Sequence, residues 1–236
     1  RPGTSPALGP GARAVSINSL AAGAAASASN DDAMALGTRA VADGQQTTAM
    51  GADASALGYQ TVAIGTGSST DGNSAVAIGT GANATNFGTV ALGMNSTTDG
   101  NSTISIGRAA QSHGVESMAM GAESLAEIGG TAVGARTIAT GLLSTAVGRS
   151  ASAAGGNATA LGVLANASAV FSTALGQQAA ASGDGALAVG SLAEASNLKA
   201  ADAGIVAHLL VEIDGIERRP AGQEIKAGRV AEVGGV

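Results

Sequence analysis

The residue types that most often do chemistry are scarce in this chain of 236 residues, and none stands in a working arrangement. There is no cysteine, and His113 and His208 are the only histidines. Neither sits in a repeated nucleophile–base grouping of the Ser–His–Asp or Cys–His kind, so the chain does not read as an enzyme. His113, six positions after Gly107, reads as a solvent-exposed turn residue. Asp71-Gly72-Asn73 and Asp99-Gly100-Asn101 offer oxygen donors of the type calcium uses. They lack the Gly-Gly-x-Gly-x-Asp nonapeptide of calcium-binding rolls and read as turns. Gly155-Gly156 is followed by neither the Lys-Ser/Thr nor the helix of a phosphate loop. No catalytic residue, metal ligand or cofactor is therefore assigned.

Composition narrows the partners. The net charge is −6, residues 1–198 contain no lysine, and Tyr59, Phe87 and Phe171 are the only aromatics. Phosphate binding needs clustered cations and base stacking needs aromatic rings, so nucleic acid is excluded as a partner. The absence of cysteine removes disulfides and thiolate zinc sites, and suits a secreted bacterial protein. Hydrophobic residues make up 45% of the chain but aromatics 1%, so any core is thin and built of small side chains. Charged residues, at 12%, are too few for ordinary disorder. No apolar run reaches the length of about 18 residues that a membrane helix requires. The start at Arg1, without an initiator methionine or a signal peptide, reads as a fragment excised from a longer protein.

What positions the side chains is a repeat. Glycines recur every 14 residues from Gly9 through Gly23, Gly37, Gly51, Gly65, Gly79, Gly93 and Gly107 to Gly121. After one 13-residue step they continue at Gly134, Gly148, Gly162, Gly176 and Gly190, the missing residue falling within Ala126-Glu127-Ile128-Gly129-Gly130. The residue before each glycine is aliphatic at Leu36, Met50, Ile64, Ile78, Leu92, Ile106, Met120, Val133, Val147, Leu161, Leu175 and Val189. Two before it stands alanine, or serine at Ser105; three before it stands an aliphatic or a threonine, as at Thr131, Thr145, Thr159 and Thr173. This period-2 alternation predicts a strand with two different faces. Small residues recur three and five positions after the glycine, as at Ala40 and Ala42. Seven after it another glycine or an asparagine often stands, at Gly58 or Asn86 for example, which predicts a tight turn with positive φ.

One repeat is thus strand, turn, strand, turn, with two strands of about five residues forming one coil of a flattened β-solenoid. Fourteen coils stacked at about 4.8 Å give a rod on the order of 65 Å long. A narrow coil admits only Ala, Ser, Thr and Gly, so the alanines point inward and the flanking aliphatics form an outward stripe. A contiguous apolar stripe of that length calls for a partner surface. Its straight, repeating form suits cyclic self-association, and a homotrimer encloses one axial core. The twelve aliphatics before the register glycines would be that core.

Asn73-Ser74-Ala75-Val76-Ala77-Ile78-Gly79 and Asn101-Ser102-Thr103-Ile104-Ser105-Ile106-Gly107, with continuations such as Gly93-Met94-Asn95-Ser96-Thr97-Thr98-Asp99-Gly100, resemble the repeat of YadA-like head domains of trimeric autotransporter adhesins. The resemblance covers residues 9–197. It implies a left-handed parallel β-roll that trimerises, and an adhesin head, a virulence-type function, displayed on the bacterial cell surface. The head would bind a host extracellular matrix protein or a cell-surface receptor and take part in autoagglutination. It would reach the outer membrane only through a C-terminal anchor that this sequence lacks. A trimeric phage tail-fibre or other secreted receptor-binding fibre is the alternative. A hexapeptide acyltransferase helix is excluded by the 14-residue period.

The ends differ from the repeat. Residues 1–8 read as a linker or frayed first turn, with Pro2, Pro6 and Pro10 close together. Residues 198–236 read as a degenerate turn followed by a short β cap, the next module or a non-native tail. There Ile205–Ile213 and Ile216–Arg219 flank an Asp214-Gly215 hairpin signal. On the repeat itself, the exposed candidates for ligand contact are Tyr59, Gln60, Arg108, Gln111, His113, Arg136 and Arg149. Tyr59, the only tyrosine, follows the Gly58 turn and offers an adhesive contact.

Overall fold

The computed structural model describes residues 5–202, so the predicted hairpin and cap beyond them lie outside the described residues. Within that range the chain is a parallel β-solenoid without a helix. Strands alternate between two sheets. A 15-stranded sheet runs from Ala7–Leu8 to Ala201–Asp202, and a 14-stranded sheet from Arg13–Ala14 to Glu194–Ala195. Every strand pairs in parallel with the equivalent strand one coil away, as in Val76↔Val90 and Ile78↔Leu92. Identical neighbours therefore stack into ladders. The register glycine marks the end of each first-sheet strand.

The strands are shorter than the repeat arithmetic predicts. First-sheet strands have three residues, such as Val76–Ile78, except the two-residue strands at either end, and second-sheet strands have two, such as Asn83–Ala84. The corners take the remaining length, because each reverses the chain within a coil too narrow for a wide bend. The orientation of the faces follows the expectation. Ala49, Ala63, Ala77 and Ala91 of the first sheet and Ala42, Ala56 and Ala84 of the second are fully buried against one another. No fully buried side chain among the described residues is larger than threonine. The core is a column of methyl groups, and methyl-only packing is what lets two sheets close so tightly.

Small hydroxyl side chains brace this column. The position four before each register glycine, which the periodicity alone leaves unremarked, is buried at Thr47, Thr61, Thr89 and Thr103. There the hydroxyl donates back to the corner: Thr47 Oγ1 to the Gly44 carbonyl at 2.8 Å, Thr103 Oγ1 to that of Gly100 at 2.9 Å. The other corner is closed the same way by Ser96 Oγ on the Gly93 carbonyl. Ser105 Oγ, in the alanine position of the first sheet, donates across the coil to the Thr97 carbonyl at 2.7 Å. Ser112 Oγ returns the link to the Ile104 carbonyl at 2.7 Å.

Seven after the register glycine, Asn86 (φ 75°) and Gly114 (φ 82°) take the positive φ expected there, but most glycines at this position serve a different purpose. Gly72 has no positive φ; instead a Cβ there would lie 1.7 Å from the Asn86 carbonyl oxygen of the next coil. The constraint is close stacking of corner on corner. The left-handed backbone falls two residues later, at Gln60 (φ 56°) and Phe171 (φ 57°), and two after the register glycine, at Arg39 (φ 57°) and Glu123 (φ 60°). The αL conformation costs roughly 1–2 kcal/mol per residue, and backbone hydrogen bonds to the preceding coil, such as the Gln60 N–H on the Gln45 carbonyl at 3.0 Å, hold these residues in it.

The 13-residue coil loses its residue from the second corner, at the place the glycine spacing indicates. Pairing continues on both sides of it, Met118↔Thr131 in the first sheet and Leu125↔Ile138 in the second. The shortened corner closes with the Gly130 N–H on the Glu127 carbonyl at 2.7 Å. The deletion is absorbed within one corner, so the ladders on either side stay in phase.

Candidate functional site

Each coil presents four surfaces: the outward faces of the two sheets and the two corners. The first-sheet face carries the aliphatic stripe. Ile64, Leu92 and Ile106 are half-buried by their neighbours above and below, while Ile78 remains 40% exposed and Leu175 44%. All twelve predicted core aliphatics thus lie outside the coil on one continuous face, with Thr131, Thr145, Thr159 and Thr173 on the same face. The second-sheet face is polar over most of its length, with Ser55, Ser69, Asn83, Thr97 and Gln111 stacked at one register position. The two faces are built on the same alanine column and differ only in what they turn outward.

The seven candidate contact residues separate onto three of these surfaces. Gln111 is an outward second-sheet residue, and His113 directly follows that strand. His113 is thus a half-buried strand-end residue rather than the fully exposed turn residue its sequence position suggests; its Nε2 lies 3.3 Å from Gln111 Oε1 and its Nδ1 4.0 Å from Asp99 Oδ2. Tyr59 and Gln60 occupy the second corner, several coils away; Gln60 Nε2 donates to Gln46 Oε1 at 2.8 Å. On this corner Asp31, Asn73, Asn101 and Asp184 accept the otherwise unpaired backbone N–H of the preceding coil, from Ile17, Tyr59, Phe87 and Val170 respectively. This explains the Asp-Gly-Asn turns as stacking devices.

Arg108, Arg136 and Arg149 converge on the first corner. They line one shallow depression with Ala122, Ala135 and Glu123. Arg108 pairs with Glu123 Oε1, and Arg136 Nε donates to Glu123 Oε2 at 3.2 Å. The two guanidinium groups hold the Glu123 carboxyl below the usual carboxylate range, Arg108 contributing most. Arg149 has no ion-pair partner among the described residues. The sequence offers the three arginines singly, with Glu123 as one more exposed charge outside the contact set. Counting positions from the register glycine brings the four together, since all stand one or two residues after it. A second pair on this corner, Arg39 and Asp53, is a closed fork with Nε–Oδ1 at 2.6 Å and Nη2–Oδ2 at 2.7 Å. That fork leaves little capacity for a ligand.

The repeat matches the family model described as the YadA head domain repeat (2 copies), at residues 14–40, 42–68, 56–82, 71–96, 99–124, 139–165 and 167–193. Each matched segment is close to two coils long, and none crosses the shortened coil, although the ladders do. Among solved structures the chain is similar to the collagen-binding domain of the Yersinia adhesin YadA, at 22% identity and a TM-score of 0.27, over 81% of this chain and 78% of that one. No protein with a curated description matches it. With the 14-residue coil, the inward alanines and the outward aliphatic ladder all in place across the matched segments, the chain belongs to the family built from YadA head domain repeats.

Proposed function

We propose that this chain is the exposed head of a trimeric bacterial surface adhesin. The observation that carries the reading is the unbroken aliphatic ladder on the first-sheet face, Ile64↔Ile78↔Leu92↔Ile106↔Met120 and its continuations. A face of that kind, long and apolar, is too large for a lone chain in water. Three copies around one axis bury it symmetrically, and the polar second-sheet face and the corners then form the outer surface. Membership of the YadA head family supports an adhesive role, and the collagen-binding domain to which the fold is similar makes an extracellular matrix protein the first ligand to try. The head acts by binding and not by catalysis, and many shallow contacts along three coaxial rods give avidity without a deep pocket.

Light scattering of the purified chain, with thermal unfolding across a dilution series and binding to immobilised collagen, tests the reading. The expected species is close to three times 22.1 kDa, with an unfolding temperature that rises with concentration. A stable folded monomer would overturn the trimer. A trimer that binds neither collagen nor another matrix protein would remove the adhesive part.

A further inference from the structure

The first-corner arginines form a cluster of their own. Arg108, Arg136 and Arg149 are exposed, and with Glu123 they occupy four consecutive coils. With coils stacked about 4.8 Å apart, the cluster extends about 14 Å along the rod. It is the one clustered set of cations among the described residues. Towards the N-terminus, Asp31, Asp32, Asp43, Asp71 and Asp99 outweigh Arg13, and Arg39 is closed on Asp53. Between Arg149 and Lys199 the only charges are Asp184 and Glu194.

The Glu123 carboxylate shows what the site accepts. It lies between two guanidinium groups from neighbouring coils and takes hydrogen bonds from both, as a planar oxyanion does on arginine forks. One internal carboxylate against three guanidinium groups leaves an excess of donors, with Arg149 entirely unused. The rest of the lining is Ala122 and Ala135, which offers no pocket for the apolar anchor that a protein partner brings. The aromatic residues Tyr59, Phe87 and Phe171 all lie on the other corner, so no base can stack beside these arginines. What remains is a chain that binds by oxyanions recurring along its length. The geometry points to a sulfated or carboxylated polysaccharide, lying along the rod axis over Arg108, Arg136 and Arg149, with Glu123 as the internal competitor it displaces.

This names a ligand class for the head proposed above but does not depend on collagen binding. The test is titration of the full chain with a size-defined heparin hexasaccharide at low and physiological salt, with inorganic sulfate and single-stranded DNA of equal charge as alternative probes. Arg149→Ala and Arg108→Ala are expected to weaken hexasaccharide binding by about threefold each, the scale of an exposed ion pair. Glu123→Gln is expected to strengthen it by a similar factor, a gain that a merely structural role for Glu123 would not produce. Arg13→Ala, remote from the cluster, is expected to leave it unchanged. Unfolding temperatures measured in parallel verify that each variant is folded.

Equal losses in Arg149→Ala and Arg13→Ala would overturn the site in favour of diffuse charge. Equal competition by inorganic sulfate at matched anion concentration, or by the DNA through the same arginines, would overturn the polysaccharide assignment. Collagen binding without hexasaccharide binding would overturn this inference and leave the adhesin reading intact. Hexasaccharide binding that depends on the arginines, without matrix-protein binding, would keep this inference and overturn only the choice of a matrix protein as the head's ligand.

Discussion

The outward faces of the two sheets are a controlled contrast within one molecule. Both rest on alanines that are fully buried, and both repeat with every coil. Yet Ile78, Leu92 and Ile106 point out of the first sheet where Asn83, Thr97 and Gln111 point out of the second. The inward side chains determine whether the coil closes, and the outward ones what it meets. Folding of the coil and recognition by its surface are therefore encoded by alternate residues of the same strands, and can be changed separately.

The strongest way to break the contrast is to place a charge on each face. Leu92→Asp is expected to cost about 2 kcal/mol of lost burial per protomer, and so about 6 kcal/mol in the proposed trimer. Light scattering would then show a smaller species. Asn83→Asp, on the second sheet one coil away, is expected to leave the mass unchanged. Equal effects of the two would mean that the aliphatic ladder is not the association surface.

A smaller effect sharpens the common ground of the two faces. Ala77→Leu in the first sheet and Ala84→Leu in the second are each expected to destabilise the coil by about 3 kcal/mol, because the column has no room for a side chain larger than threonine. Denaturant midpoints for the pair should fall together. Smaller still, Thr98 stands in the second sheet where alanine is usual, and its buried Oγ1 has no hydrogen-bond partner. Thr98→Val keeps the shape and removes the orphan hydroxyl, so it is expected to stabilise by about 1 kcal/mol, read as a raised unfolding temperature.

The smallest expected effect lies on the first corner. The Arg39 guanidinium holds the Asp53 carboxyl below the usual carboxylate range, chiefly by hydrogen bonding. The folded pKa is depressed, so the ion pair's contribution is present above the unfolded pKa of aspartate and is lost as pH falls through the folded one. Both side chains are exposed and screened by solvent. Asp53→Asn should therefore lower the unfolding temperature only slightly at neutral pH. That difference from the parent chain should vanish in acid and shrink in high salt.

Much of the architecture was legible in the sequence because the repeat samples the same environment many times. A single Val-Ala-Ile-Gly is ambiguous; fourteen register glycines with alanine, or once serine, two before them leave little choice of which face is inside. The 13-residue step could be placed for the same reason. The corners were less legible. Gly72 and Gly155 look like positive-φ turn residues, but their role is clearance from the carbonyls of Asn86 and Ala169 in the next coil, a contact between residues 14 apart. The αL positions are filled by residues as unlike as Gln60, Leu143 and Phe171, and carry no compositional signal.

The sequence by itself determined the coil, its inward alanines, its outward stripe and the family, because these depend on residue size at a fixed period. Only the tertiary structure decided which exposed residues share a surface. Arg108, Glu123, Arg136 and Arg149 are spread over more than 40 residues of chain, and His113, five residues from Arg108, lies apart from them after the second-sheet strand. The physical reason is that stacking in register makes neighbours of residues one coil apart, while the flattened coil separates residues close in the chain onto different faces.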